Sequence, residues 1–272
     1  MFLNANQDPF KSSLNDEAQV AMDSIVGNEN YDLGHLFDYG QPDGDAGCVG
    51  CVCENGAKGR AYSIHPFEDI DGGVFRNDYF DLDYVAHEIG HQFGAYHTFA
   101  FQTENSGSNV EPGSGSTIMG YAGITGEDDI QAHGDPYFHY VSIKEINNYV
   151  SNLTCTVSSV SISNNAYNID AGKDYNIPKG TAYELSPIVD DPIPDQINFN
   201  WEQLDSGQIG SSNFGPLNVV GPIARSILPS NKKTRYVPNI ERVISGNLTQ
   251  TNPTRGSAWE TVTDVGLSLI HI

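Results

Sequence analysis

The stretch His87-Glu88-Ile89-Gly90-His91-Gln92-Phe93-Gly94-Ala95-Tyr96-His97 fills every fixed position of the pattern H-E-x-x-H-x-x-G-x-x-H. At this chain's residue frequencies a chance match is on the order of 10⁻⁵ to 10⁻⁴. On a helix, His87 and His91 stand one turn apart on one face, so both imidazoles reach a single tetrahedral metal ion. Gly94 gives the backbone freedom to leave the helix, and that exit swings His97 round as a third ligand, leaving the fourth position to water. Glu88, beside His87, is placed to accept a proton from that water. Zn²⁺ is the ion such a set holds, and the chemistry it predicts is metal-assisted amide hydrolysis. The competing reading makes these histidines ordinary polar residues of an amphipathic helix, which three at this spacing argue against. His35, His65, His133 and His139 have no ligand spacing of their own and take the ordinary reading.

Around the motif, Leu82, Val85, Ala86, Ile89 and Phe93 recur at helical spacing, predicting a helix over 80–93 with Asp81 as its cap. A helix over 16–26 is predicted with Val20, Ile25 and Val26 near one face and Gly27 as its stop. A third begins at Ser142, where Ser142-Ile143-Lys144-Glu145 fits a capping box. Strands are predicted at 31–37, 46–53 and 60–64, with Asn55-Gly56 as a turn between the last two. Phe2-Leu3 reads as the tail of a further strand. Beyond Cys155 the composition turns to Ser, Asn, Pro and Thr, and period-2 stretches at 157–162 and 197–201 predict an all-β sandwich with Trp201 in its core. Residues 205–256, rich in Gly, Pro and Asn, read as a long connection.

The 272 residues carry 35 Asp and Glu against 13 Lys and Arg, a net charge of −22 that disfavours nucleic acid and anionic membranes. Before Cys155 stand 24 acidic and 5 basic residues (−19), leaving 11 and 8 (−3) after it. No apolar run reaches the length of a membrane span, and the first residues show no targeting signal.

With the motif in hand, residues 1–155 resemble the metzincin metallopeptidases, most closely the reprolysin-like branch of secreted bacterial proteins. Ser116-Thr117-Ile118-Met119-Gly120-Tyr121 lies where metzincins place the turn whose methionine floors the zinc site, and Met119 is the matching residue. Tyr121 has the spacing at which some metzincins place a tyrosine that approaches zinc or hydrogen-bonds the tetrahedral intermediate; a packing tyrosine is the other reading. Segments 31–37, 47–63, 81–86 and 111–116 also look like this family. The resemblance implies an α/β (α+β) catalytic domain with a mixed sheet and an active-site helix. It also implies an edge strand, here 46–53, that pairs with extended peptide substrate. Residues 160–204 resemble an Ig-like or PKD-like module, so the expected organisation is a peptidase domain over 1–155 and an incomplete sandwich over 156–266. Residues 267–272 resemble a translated sequencing adaptor, and the family's first strand and helix are not found. The natural protein is thus expected to extend both ways, with its signal peptide upstream.

The resemblance also pairs Cys53 with Cys155, which implies an oxidising compartment. On an extended strand Cys48 and Cys51 would be too far apart to bridge; a structural zinc site on the clustered cysteines is the alternative. The clusters Glu68-Asp69-Asp71, Asp78-Asp81-Asp83 and Glu127-Asp128-Asp129 either bind Ca²⁺ or form a solvated acidic face. The expected function is a secreted zinc endopeptidase with His87, His91 and His97 as ligands and Glu88 as general base. Its rivals are a secreted adhesion protein with a degenerate peptidase domain and a different zinc hydrolase such as an amidase.

Overall fold

The computed structural model describes residues 8–67, 77–155, 169–189 and 197–265, with the backbone of Ser268–Ile270. The chain forms two compact units, interleaved in sequence where composition alone suggests one break after Cys155.

The first unit is built on helix α1 (Leu14–Met22), which runs into a π-helical turn at Asp23–Gly27, and on a three-stranded sheet. Its strands are β1 (His35–Asp38), β2 (Asp43–Asp45) and β3 (Ala61–Ile64) in the order β1-β3-β2, with β1 parallel and β2 antiparallel to β3. The sheet is therefore mixed, and among the described residues β2 lies at an edge. The buried face of α1 is not the predicted one: Ala18 and Gln19 are buried, whereas Val20 and Ile25 are 66% and 62% exposed. A buried amide explains the difference. Gln19 Nε2 donates to the Asp23 carboxylate and to the Tyr31 hydroxyl, and its Oε1 accepts from the Gly59 N–H at 2.8 Å.

The strand expected over 46–53 is also displaced, because β2 precedes it and residues 46–53 form turns instead. Gly47 and Gly50 adopt positive φ there (+68° and +73°), which folds the chain back on itself. That folding brings the Cys48 and Cys51 Cα atoms to 6.1 Å, so the local disulfide that an extended strand would forbid is formed. Cys53 bonds Cys155, and no free cysteine remains to hold a structural zinc.

The predicted helix over 80–93 begins as a π-helical stretch, Phe80–Ala86, and becomes α2 at His87–Gln92. Asp81 lies inside this stretch and caps nothing. Helix α3 (Tyr140–Ser151) starts two residues before the expected capping box. His139 Nδ1 accepts from the Val141 N–H, while Ser142 Oγ is buried with no hydrogen-bond partner among the described residues.

The second unit has a core of Ala100, Ile130, Ile209, Phe214 and Trp259. Its fully buried tryptophan is Trp259; Trp201, predicted for this role, is half-buried and donates its Nε1–H to the Lys233 carbonyl. The later strands are β4 (Ile169–Asp170), β5 (Tyr175–Ile177), β6 (Tyr183–Leu185), β7 (Ile188–Val189), β8 (Arg235–Val237) and β9 (Ser268–Ile270). They pair as three antiparallel two-stranded ladders, β4–β7, β5–β9 and β6–β8, and these do not show a two-sheet sandwich. Within the supposed connection 205–256 lie β8 and a short helix α4 (Ile240–Ile244), capped by the Asn239 side chain. The expected strands at Phe2-Leu3 and 157–162, and the cluster Glu68-Asp69-Asp71, lie outside the described residues.

Two stability outcomes follow. Because Cys53 and Cys155 are 102 residues apart and Cys48 and Cys51 only 3, replacing the first pair by serine costs about 4–5 kcal/mol and the second about 2 kcal/mol in urea unfolding; equal losses would contradict this. Burial pulls the His35 pKa down to about 4, from about 6.5 in an unfolded chain. The unfolded chain therefore binds more protons between these values, and stability is full above pH 6.5 and falls toward pH 4. His35→Gln should flatten that slope, as read from unfolding midpoints across the range.

Candidate metal centre

Helix α2 carries the first two histidines into the interior: His87 is 4% exposed, His91 8% and Glu88 7%. The helix must then stop within one turn. Gly94 takes φ +94°, its N–H bonds the His91 carbonyl at 2.8 Å, and the Ala95 N–H bonds the Gly90 carbonyl at 3.0 Å. This pair of bonds is a Schellman ending, with glycine at the left-handed position. A Cβ on Gly94 would also stand 3.0 Å from the Tyr149 Cβ. Tyr149, on α3, also lies against Gly50 and donates its hydroxyl to the Val52 carbonyl. The N–H groups of Gly50, Cys51 and Val52 in turn bond the His91 and Gln92 carbonyls, so the end of α2 is closed by the disulfide-bridged loop.

The ring nitrogens of His87, His91 and His97 that could act as ligands lie within 4.8 Å of one another. Two of these rings are already oriented through their Nδ1 atoms. His91 Nδ1 lies 2.7 Å from the Ala95 carbonyl, and His97 Nδ1 lies 2.9 and 3.0 Å from the two Glu104 carboxylate oxygens. Both acceptors require an N–H on Nδ1, which leaves the Nε2 lone pair to bind a metal. Burial holds the His97 pKa down at about 4, so its imidazole is neutral at neutral pH. Three converging imidazoles, two of them oriented through Nδ1, fit Zn²⁺.

Glu88 faces edge strand β2. A Cβ on Gly44 would approach its Oε1 to 2.6 Å, so glycine is what lets the strand pass so closely. Burial, with added repulsion from Asp45 and Asp43, pushes the Glu88 pKa up to about 8, against a backbone hydrogen bond from Ala46 that lowers it. A carboxyl whose proton affinity sits near neutrality suits proton transfer. Met119 is fully buried, and its carbonyl accepts from the Thr98 N–H at 3.0 Å. The Tyr121 ring lies 4.5 Å from that of His97 and 4.6 Å from that of Phe99. Of the acidic clusters, Asp129 is buried and accepts from Gly123, Thr125 and Arg255, while Asp128 accepts from the Ser211 N–H.

The family described as metallo-peptidase family M12B, reprolysin-like, matches residues 3–166, more than half of the chain. The chain belongs to this family. It is a zinc metallopeptidase, a hydrolase whose substrates are proteins or peptides. No curated protein and no solved structure matches the chain.

The motif placed the peptidase's three histidines, but it carried no sign of Glu104, seven residues beyond His97, or of Gly44 and Tyr149. None of these has a fixed spacing to the histidines, because each arrives from a loop or another element. Glu104→Gln should weaken zinc retention about 10- to 100-fold in chelator competition; unaltered retention would show that the contact does not orient His97.

Proposed function

We propose that this peptidase is a secreted endopeptidase that binds substrate as an extended strand and cleaves it with Glu88 as the proton-transfer group. The observation that carries this reading is the convergence of three imidazole nitrogens within 4.8 Å beside a buried, proton-avid carboxyl.

His87, His91 and His97 are the residues that would hold zinc. When bound, the ion supplies Lewis-acid polarisation of the scissile carbonyl and acidifies the attacking water. Glu88, as the carboxylate, would take the proton from that water and return it to the departing amine, and its burial beside Asp45 and Asp43 strengthens its hold on that proton. Tyr121, packed against His97, offers its hydroxyl to the charge developing on the carbonyl oxygen. Met119 keeps the residue after His97 in place through its backbone.

Substrate binding by strand addition is supported by the sheet order. Strand β2 is an edge, and among the described residues β3 is its one strand partner. Its far side can pair with peptide backbone of almost any sequence. Asp43 and Asp45 on that strand, and the −19 charge of residues 1–155, favour basic or neutral peptides. Secretion is supported by four cysteines in two disulfides, and no helix among the described residues is long and apolar enough to cross a membrane.

Glu88→Gln should retain one zinc per chain while kcat on an unstructured protein substrate falls by about 10²–10⁴. Near-parental turnover would remove Glu88 from the chemistry.

A further inference from the structure

Glu111 opens the segment Glu111-Pro112-Gly113-Ser114-Gly115-Ser116 and has no part in the proposed chemistry, yet it is only 1% exposed. Burying a carboxylate is costly unless it is fully satisfied, and an opposite charge is the usual means. No ion pair is formed by Glu111 among the described residues; hydrogen-bond donors take that place. Its Oε2 accepts from the Ser116 N–H at 2.9 Å, the Thr117 N–H at 3.3 Å and the Ser116 hydroxyl at 3.3 Å. Its Oε1 accepts from the Thr117 hydroxyl in a short bond. Four donors from two consecutive residues therefore converge on one side chain, at the turn that leads to Met119 and Tyr121.

The backbone of Glu111 completes a ring. Its N–H bonds the Thr98 carbonyl at 2.9 Å, the Thr98 N–H bonds the Met119 carbonyl at 3.0 Å, and Thr117 Oγ1 lies 3.5 Å from Thr98 Oγ1. The one hydroxyl proton of Thr117 is committed to the carboxylate, so Thr98 is the donor in that last contact. Thr98 directly follows His97. The Val110 N–H also bonds the Thr98 carbonyl, at 2.9 Å; the other hydrogen bonds to Thr98 come from Glu111, from the turn it gathers and from Met119.

We infer that Glu111 is a positioning residue for His97: its buried carboxylate ties the Ser116–Thr117 turn to Thr98 and thereby sets where the third imidazole stands. The inference rests on the zinc reading given above. Gln at this position keeps the shape but turns an N–H₂ group toward donors on one side or the other, so at least one set of bonds is lost.

The test uses the full chain and measures Zn²⁺ affinity by competition with a chromophoric chelator, together with the ligand-field spectrum of the Co²⁺ form. Near-UV circular dichroism and the thermal midpoint are read alongside. Glu111→Gln should raise the zinc Kd at least about tenfold and alter the Co²⁺ spectrum while near-UV dichroism stays native. Thr117→Val, which removes only the hydroxyl link, should shift both readouts in the same direction by less, and it decides the matter if Glu111→Gln does not fold. A merely structural role would lower the thermal midpoint but leave both metal readouts of the folded protein at parental values, and that result overturns the inference. A parental chain that binds no zinc overturns the zinc reading itself, and this inference with it.

Discussion

The helix ending at Gly94 is the constraint on which the rest of the site depends. Two histidines one turn apart can share an ion from a single helix, but a third must come from chain that has already turned away. At Gly94 that turn is made in a conformation open to glycine, with the last carbonyls of α2 taken up by Ala95, Gly94 and the Cys48–Cys51 loop. Tyr149 fills the space where a Cβ at Gly94 or Gly50 would stand. The end of the helix is therefore held by a loop, a disulfide and a second helix that look unrelated in sequence.

A second constraint is electrostatic. Glu88 is buried against an edge strand that brings Asp43 and Asp45 close, which raises the energy of its charged form. Such a carboxyl holds a proton more firmly than an exposed one. The same geometry that keeps it dry places it beside β2, where strand addition would lay a substrate backbone. Proton transfer and substrate alignment would then be served by one element, and Gly44 is the residue that allows the approach.

The candidate site was legible in the sequence to an unusual degree, because its spacing is dictated by helical geometry and one left-handed residue. His87, His91, His97 and Gly94 follow from that rule alone. What was not legible depends on contacts between distant segments. Val20 and Ile25 looked like a core face, but the helix is fixed by the amide of Gln19, which no hydrophobic period reveals. Cys48 and Cys51 cannot bridge on an extended strand, but two positive-φ glycines fold that segment into turns. Trp201 has the alternating pattern of a core strand, yet Trp259 fills the core. Glu104 carries no motif, and Glu111 lies in a segment that resembles the family without showing what its side chain does, since both roles come from loops that close only in the folded chain.

The central claim is that three histidines of this chain hold one zinc ion. X-ray absorption at the zinc edge of the purified chain tests it most directly. One zinc per chain with three imidazole nitrogens and one oxygen at about 2.0–2.1 Å is the expected result. A chain that retains no zinc, or one whose zinc shell loses no imidazole in His97→Ala, would contradict it.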